Sequence, residues 1–294
     1  MHIPSEMLSS SVCPVSAVLA ASGVAVSAYA LAKGKAKIPS ASKFALTSAA
    51  VFALQMLNYP IWNGVSGHLI GGVFAAVLLG TPAAVLSLAI VLVLQTLLFA
   101  DGGILMLGAN VFNMGVVGAG LGGLIYSALQ KKNFAKSTSV GVSAFLSVEL
   151  AVFAVCVELW ASGKGSFSVF ATLIGVHTAL ALCEGVATIG LVSLINETSE
   201  KSVSKKSILT LCALVLGALM ISPLASAFPD GFEWTMEKFS LLPSAPNFVN
   251  APFAEYCVSA ISSEIVSGFV AGFVGVVATM LVSYMVAKLL PAKA

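Results

Sequence analysis

Three histidines are the residues of this chain best suited to transition-metal chemistry: His2, His68 and His177. His2 follows Met1, which should be retained with a free amine because a bulky second residue blocks removal of the initiator methionine. That amine, the amide nitrogen of His2 and its Nδ1 can close two adjacent chelate rings around one metal. A deprotonated amide favours a planar nitrogen array, which is typical of Ni(II) or Cu(II), with Co(II) possible.

This array has only three nitrogens, and His68 is the candidate for the fourth. It lies in the segment Asn63-Gly-Val-Ser-Gly-His68, whose glycines would let a loop fold back into a helix bundle. Taken singly, His2 could be a frayed terminal residue and His68 an interfacial one. Because both are expected on one side of a membrane, a metal site of Met1, His2 and His68 is the better interpretation.

Other polar residues could support these ligands by hydrogen bonding. Asn110 and Asn113 are three residues apart and would face the same way, either towards the ligands or towards a neighbouring helix. His177 and Glu184 would share one helix face, where a purely structural role is the alternative. We take Asn110, Asn113 and His177 as possible supporting residues and assign no ligand role to them.

The composition requires a membrane. The chain has 294 residues, of which 59% are hydrophobic and 9% charged, with a mean hydropathy of +1.03. Soluble domains carry about 25% charged residues. The 14 basic residues, all lysine, form no dense stripe, which excludes nucleic acid as a partner. We expect membrane lipid around most of the chain and no bound cofactor.

Apolar runs between breakers predict an all-α, polytopic transmembrane bundle of about seven spans plus a two-span carboxyl-terminal module. The domains are a body over residues 1–195, a polar cytoplasmic linker over 196–206 and the module over 207–294. The predicted spans are Val12–Leu31, Phe44–Leu57, Leu69–Leu79, Pro82–Phe99, Ile104–Leu129, Val140–Trp160, Phe167–Ile195, Ile208–Ala227 and Ser259–Leu290.

Lysine placement predicts the orientation. With the amino terminus extracytoplasmic and the carboxyl terminus cytoplasmic, only Lys164 and Lys238 fall outside. The reverse orientation would place most lysines outside, against the tendency of short cytoplasmic loops to carry them. The segment from Phe228 to Tyr256 then lies on the same side as Met1, and we expect it to sit over or beside the metal site.

Several motifs resemble the substrate-capture components of energy-coupling-factor transporters for cobalt and nickel, the CbiM/NikM family. In that family the metal is bound by the terminal amine, the amide and imidazole nitrogens of the second residue, and a loop histidine. The resemblance therefore implies the ligands Met1, His2 and His68. The motifs are Met1-His2-Ile3-Pro4, the run from Asn58 to Gly72, Leu98-Phe-Ala-Asp101-Gly-Gly103, and the run from Gly108 to Gly115.

After the linker, Pro229-Asp-Gly-Phe-Glu233 resembles the Pro-Asp-Gly-Leu-Glu signature of the family's two-span accessory subunit, here fused. The resemblance implies a transported ligand, Ni(II) or Co(II), and two kinds of partner: a transmembrane coupling (T) protein and cytosolic ATPase subunits. The sequence itself has no nucleotide phosphate loop and no catalytic pairing, so an enzyme is not expected.

The alternative function is an autonomous permease driven by an ion gradient. Ionisable groups inside spans are candidates for relaying ions, because burying them unpaired in lipid is costly. The residues that could serve such a relay are Asp101, Glu149, Glu184 and Glu264. The sequence does not distinguish nickel from cobalt.

Overall fold

The computed structural model describes residues 1–62, 64–195, 204–242 and 251–290. Helices dominate these residues, which confirms the predicted all-α class. Their bounds are α1 Val12–Ala32, α2 Ala41–Gln55, α3 Gly72–Leu79, α4 Thr81–Phe99, α5 Leu107–Asn110, α6 Gly122–Lys131, α7 Lys136–Ala161, α8 Phe167–Ile195, α9 Lys205–Ile221, α10 Gly231–Lys238 and α11 Glu264–Leu289.

Within the described ranges, seven helices are long and apolar enough to cross a membrane. One of them is continuous over Ile104–Lys131, with a π-helical segment, Val111–Leu121, between α5 and α6. Two predicted spans are not among these seven: α2 has 15 residues, close to its predicted length, and α3 has 8 residues, fewer than predicted. At 1.5 Å per residue, α3 covers about 12 Å, well below the roughly 30 Å hydrocarbon core.

The shortening of α3 has a local cause. The apolar run predicted as Leu69–Leu79 is divided, and its first residues belong to a buried loop. This loop follows a small antiparallel hairpin of β1, Tyr59–Trp62, and β2, Val65–Gly67. The loop and hairpin thus replace helix at the end of the bundle where α1 begins, which we call the amino-terminal end.

The carboxyl-terminal module packs on the body. Helix α11 lies along α2 and also contacts α4, and α9 lies against α2. The side chain of Ser204 caps α9 by accepting from the amide of Ser207. Of the expected linker over 196–206, residues 196–203 lie outside the described residues.

Candidate metal centre

The first residues of the chain are inserted into the amino-terminal end of the bundle. Met1 and His2 are each 6% exposed, and Ile3 is fully buried. The backbone of Ile3 is held on both sides: its N–H donates to Asn110 Oδ1 at 2.8 Å, and its carbonyl accepts from the Gly103 N–H at 3.0 Å. Asn110 therefore holds the amino-terminal segment in place through the backbone of Ile3.

A glycine turn makes room for this segment. Gly102 has a φ of +82°, a conformation that glycine adopts without strain. A Cβ atom on Gly103 would lie 2.4 Å from the backbone nitrogen of Ser5. The run Asp101-Gly-Gly103 is thus explained by the close passage of residues 2–5.

We expect Gly103→Ala to displace residues 2–5 and lower nickel affinity by at least about tenfold while the helices remain folded, because backbone atoms cannot yield to the new methyl group. The matched control is Gly190→Ala, since a Cβ atom there meets nothing within 4 Å. Isothermal titration of both purified variants with nickel measures the effect. Equal nickel affinity in the two variants would contradict the close packing of Gly103 against the backbone of Ser5.

His68 is positioned by a buried carboxylate on α8. Glu184 accepts hydrogen bonds from the backbone N–H groups of Ile70 and Gly71, each at 2.8 Å. Gln55 donates to the carbonyl of Ile70 at 2.7 Å. These bonds fix the loop just after His68 and satisfy amides at the start of α3, which gives Glu184 a structural role.

The three predicted ligand residues come together in the fold. The nitrogen of the Met1 amine lies 3.4 Å from His68 Nε2. The rings of His2 and His68 are stacked with centroids 5.3 Å apart. His68 Nδ1 lies 3.0 Å from the carbonyl of Leu69, which can only accept, so the ring proton is on Nδ1 and Nε2 presents its lone pair.

The His2 ring has two polar neighbours that the sequence did not identify as supporting residues. Its Nε2 lies 3.2 Å from Gln95 Oε1, and its Nδ1 lies 3.1 Å from Asp101 Oδ1. A donor bond from Nε2–H to Gln95 leaves the lone pair on Nδ1, the atom that the chelate requires. Metal-bound histidines commonly donate their second ring nitrogen in this way.

The carboxyl-terminal module supplies the counter-charge of the amine. Asp230 Oδ2 forms a short ion pair with the Met1 ammonium, and its Oδ1 accepts from the amides of Phe232 and Glu233 at the start of α10. The adjoining carbonyl of Pro229 accepts from the N–H of Ser66 at 2.9 Å. The segment after Phe228 therefore lies against the site, as expected.

Burial sets the charge states of the site. Desolvation lowers the pKa of His2 and of His68, and the nearby ammonium lowers both further. Burial alone would raise the pKa of Asp230, but the ammonium outweighs it and lowers that pKa. At neutral pH both imidazoles are therefore uncharged, and the carboxylate is ionised.

We expect about two protons to be released per metal ion bound at pH 7, one from the ammonium and one from the His2 amide. Because the lowered pKa values keep both imidazoles neutral, they release none. Affinity should accordingly rise with pH between 6 and 8. Nickel titration in weak buffer with a pH indicator measures the count, and release of three or four protons would show that the imidazoles are protonated in the free protein.

The other two candidate supporting residues form no hydrogen bond with the predicted ligands among the described residues. Asn113 lies apart from these ligands, and His177 lies beside them. Asn113 donates to Glu158 Oε2 at 2.7 Å, inside the bundle. His177 is fully buried, its Nδ1 lies 2.8 Å from the Leu173 carbonyl, and its Nε2 has no partner among the described residues. His177 lines a small cavity with Met1 and His68.

No three His, Cys, Asp or Glu side chains in the described part of the chain converge closely enough to hold a metal. The predicted ligand set, in contrast, includes the terminal amine and a backbone amide, which are not side-chain groups. Fold and site define a class: a multi-pass helical membrane protein whose buried amino terminus meets two neutral imidazoles.

The comparison with known families agrees with this class. Residues 2–202 match the family described as cobalt uptake substrate-specific transmembrane region, and residues 204–292 match the PDGLE domain. The first match covers well over half of the chain. The chain therefore belongs to this family and carries a PDGLE domain after the family region.

Similar proteins have names from metal transport. The chain is 37% identical to a protein of Archaeoglobus fulgidus named as a fused nickel transport protein NikMN, over 76% of this chain and 74% of that protein. It is 35% identical to one of Lactiplantibacillus plantarum named as a fused nickel transport protein LarMN, over 54% and 48%. The cobalt transport protein CbiM of Kyrpidia tusciae is 32% identical, over 55% and 68%.

Proposed function

We propose that this chain captures Ni(II) or Co(II) at its amino terminus and delivers it for uptake across the membrane. The ligands are the Met1 amine, the amide nitrogen and Nδ1 of His2, and Nε2 of His68. The observation that carries the proposal is the burial of a free amine 3.4 Å from His68 Nε2, with the His2 ring stacked beside it.

The donor set supports this substrate class. Four nitrogens suit late transition metals, whereas Mg²⁺ and Ca²⁺ prefer oxygen ligands. The relatives named for nickel and for cobalt transport are consistent with either metal. Nickel is modestly favoured over cobalt by the affinity order of divalent metals.

Capture takes place on the extracytoplasmic side in this proposal. The lysine distribution supports an outer amino terminus and an inner carboxyl terminus, because short cytoplasmic loops are enriched in lysine. The amino-terminal end of the bundle, with the metal site and α10, then faces the outer water.

Uptake is driven by ATP through partners. The sequence has no phosphate loop of the usual G-x-x-x-x-G-K-[ST] form, so hydrolysis must occur on separate ATPase subunits, joined by a transmembrane coupling protein. Two groups of the alternative permease relay have other contacts: Asp101 meets His2, and Glu184 binds backbone amides.

Two measurements test the proposal. Titration of the purified protein with nickel should give one site per chain, with the absorption of amide-bound Ni(II). Cellular uptake should disappear without the ATPase subunits and persist when the proton gradient is collapsed and ATP is maintained. Uptake that needs the gradient but not the ATPase would instead establish the permease, and absence of nickel and cobalt binding would overturn the capture role.

A further inference from the structure

Asp101 is a second acidic residue at the proposed metal site, and its carboxylate does not form the ion pair with the Met1 amine. Asp230 has both oxygens engaged, one with the Met1 ammonium and one with the amides of α10. In contrast, Asp101 Oδ1 lies 3.1 Å from His2 Nδ1. Its charge therefore faces a neutral ring nitrogen instead of an ammonium.

The contact between Asp101 and His2 depends on which ring nitrogen carries the proton. With the proton on Nε2, which lies 3.2 Å from Gln95 Oε1, both His2 Nδ1 and Asp101 Oδ1 are acceptors, and this is the tautomer that the proposed chelate requires. Two facing acceptors are stabilised by a cation between them. Metal bonds of about 2.0–2.2 Å to nitrogen and oxygen place neighbouring ligands about 3 Å apart, close to the observed separation.

Asp101 and His2 differ in how far their side chains are exposed to water. The side chain of Asp101 is 24% exposed, whereas that of His2 is 6% exposed. The carboxylate is thus more accessible than the His2 ring to the water at the amino-terminal end. A dication arriving from that water can reach Asp101 without entering the more buried part of the site.

The carboxylate is held in this orientation by the fused module. Tyr256 donates its hydroxyl to Asp101 Oδ2 at 2.7 Å. The Tyr256 ring stacks on Phe99 with centroids 4.6 Å apart, and the neighbouring Phe253 N–H donates to the carbonyl of Leu98 at 2.9 Å. With Oδ2 fixed by the hydroxyl, Oδ1 is directed to His2.

We propose that Asp101 is the receiving ligand for the incoming cation: Oδ1 binds the hydrated Ni(II) or Co(II) first and transfers it to Nδ1 of His2, while Tyr256 keeps the carboxylate in place. The inference rests on the proposed capture function and adds a pathway into it. During the transfer, metal–water bonds and the metal–Oδ1 bond are exchanged for metal–nitrogen bonds. Asp101 thereby speeds metal association and does not hold the metal once it is bound to the nitrogens.

The test is stopped-flow capture of Ni(II) by the purified full-length protein, followed by the absorption of amide-bound nickel. Asp101→Asn should slow association by about tenfold and change dissociation by less than about twofold, since it removes a steering and receiving charge. Tyr256→Phe keeps the ring and loses only the hydroxyl, and it should slow association by about threefold.

Two controls separate this role from general effects. Glu237→Gln removes one exposed charge from α10 at the same end of the bundle, and Tyr284→Phe removes a hydroxyl on α11. Both should leave the association rate unchanged. An equal slowing by Glu237→Gln would overturn the inference, because a general field would then explain the rate.

Faster dissociation with unchanged association in Asp101→Asn would also overturn the inference, since Asp101 would then only retain the metal. If Asp101→Asn does not fold, an association rate of Tyr256→Phe equal to that of the native protein overturns it. These results leave the proposed function intact. Failure of the unaltered protein to bind nickel or cobalt would overturn both.

Discussion

One residue added before Met1 is expected to abolish high-affinity metal binding while the protein remains folded. The extension converts the chelating amine into an amide and moves the free amine out of register with the His2 nitrogens. It also removes the positive charge that pairs with Asp230. We expect affinity for nickel to fall at least about 1,000-fold, equivalent to about 4 kcal/mol.

Nickel titration of the extended protein measures this loss, and thermal unfolding checks that the bundle is intact. The matched control carries an added residue after Ala294 instead. Stoichiometric nickel binding as tight as that of the native protein would show that the amino terminus is not the site.

Two substitutions test how much each histidine contributes to nickel affinity. His2→Ala removes Nδ1 and should resemble the extension. His68→Ala leaves three nitrogens on adjacent residues and should lower affinity by a smaller factor, about 10- to 100-fold, mostly through faster dissociation. Affinity equal to native in His68→Ala would remove this residue from the ligand set.

Asp230→Asn is expected to impair metal capture strongly although Asp230 is far from Met1 in sequence. The substitution keeps a side-chain oxygen that can cap α10, because asparagine is also a favoured N-cap residue. It removes the negative charge beside the amine, which would offset the charge of a dication bound in this buried site. We expect nickel affinity and cellular uptake to fall about 10- to 100-fold, or about 1.4–2.7 kcal/mol.

Glu237→Gln, with the same charge change at an exposed position of α10, is the control and should match the native protein. A chain ending near Lys206 lacks the whole module and should lose uptake although Met1, His2 and His68 remain. Equal uptake by that shorter chain, at equal expression, would show that the module only packs against the body.

The sequence was sufficient for features that depend on local composition or on covalent neighbours. Hydropathy alone predicted the helix Phe167–Ile195 with the bounds that the structure has. The predicted chelate of Met1 and His2 also rests on adjacency, since the amine, amide and Nδ1 belong to consecutive residues, and it stays a prediction. The glycines around His68 predicted a loop that folds back into the bundle, and the buried loop confirms it.

The sequence was insufficient for contacts between distant segments. Nothing in the local pattern around Asp230 indicates an ion pair with a residue 229 positions away, and Gln95 is 93 positions from His2. The length of α3 was also wrong, because hydropathy does not distinguish a buried apolar loop from a helix.

The charge and the contacts of each predicted ligand were therefore decided by the tertiary structure. Desolvation keeps His2 and His68 neutral, and this depends on how the bundle, the loop and the module close around them. Covalent order brings Met1 and His2 together without any fold, but only packing of helices α4, α8 and α10 places Gln95, Glu184 and Asp230 where they orient those nitrogens. The sequence thus determined which atoms could bind a metal, and the fold determined which of them face one another, because orientation requires contacts that span most of the chain.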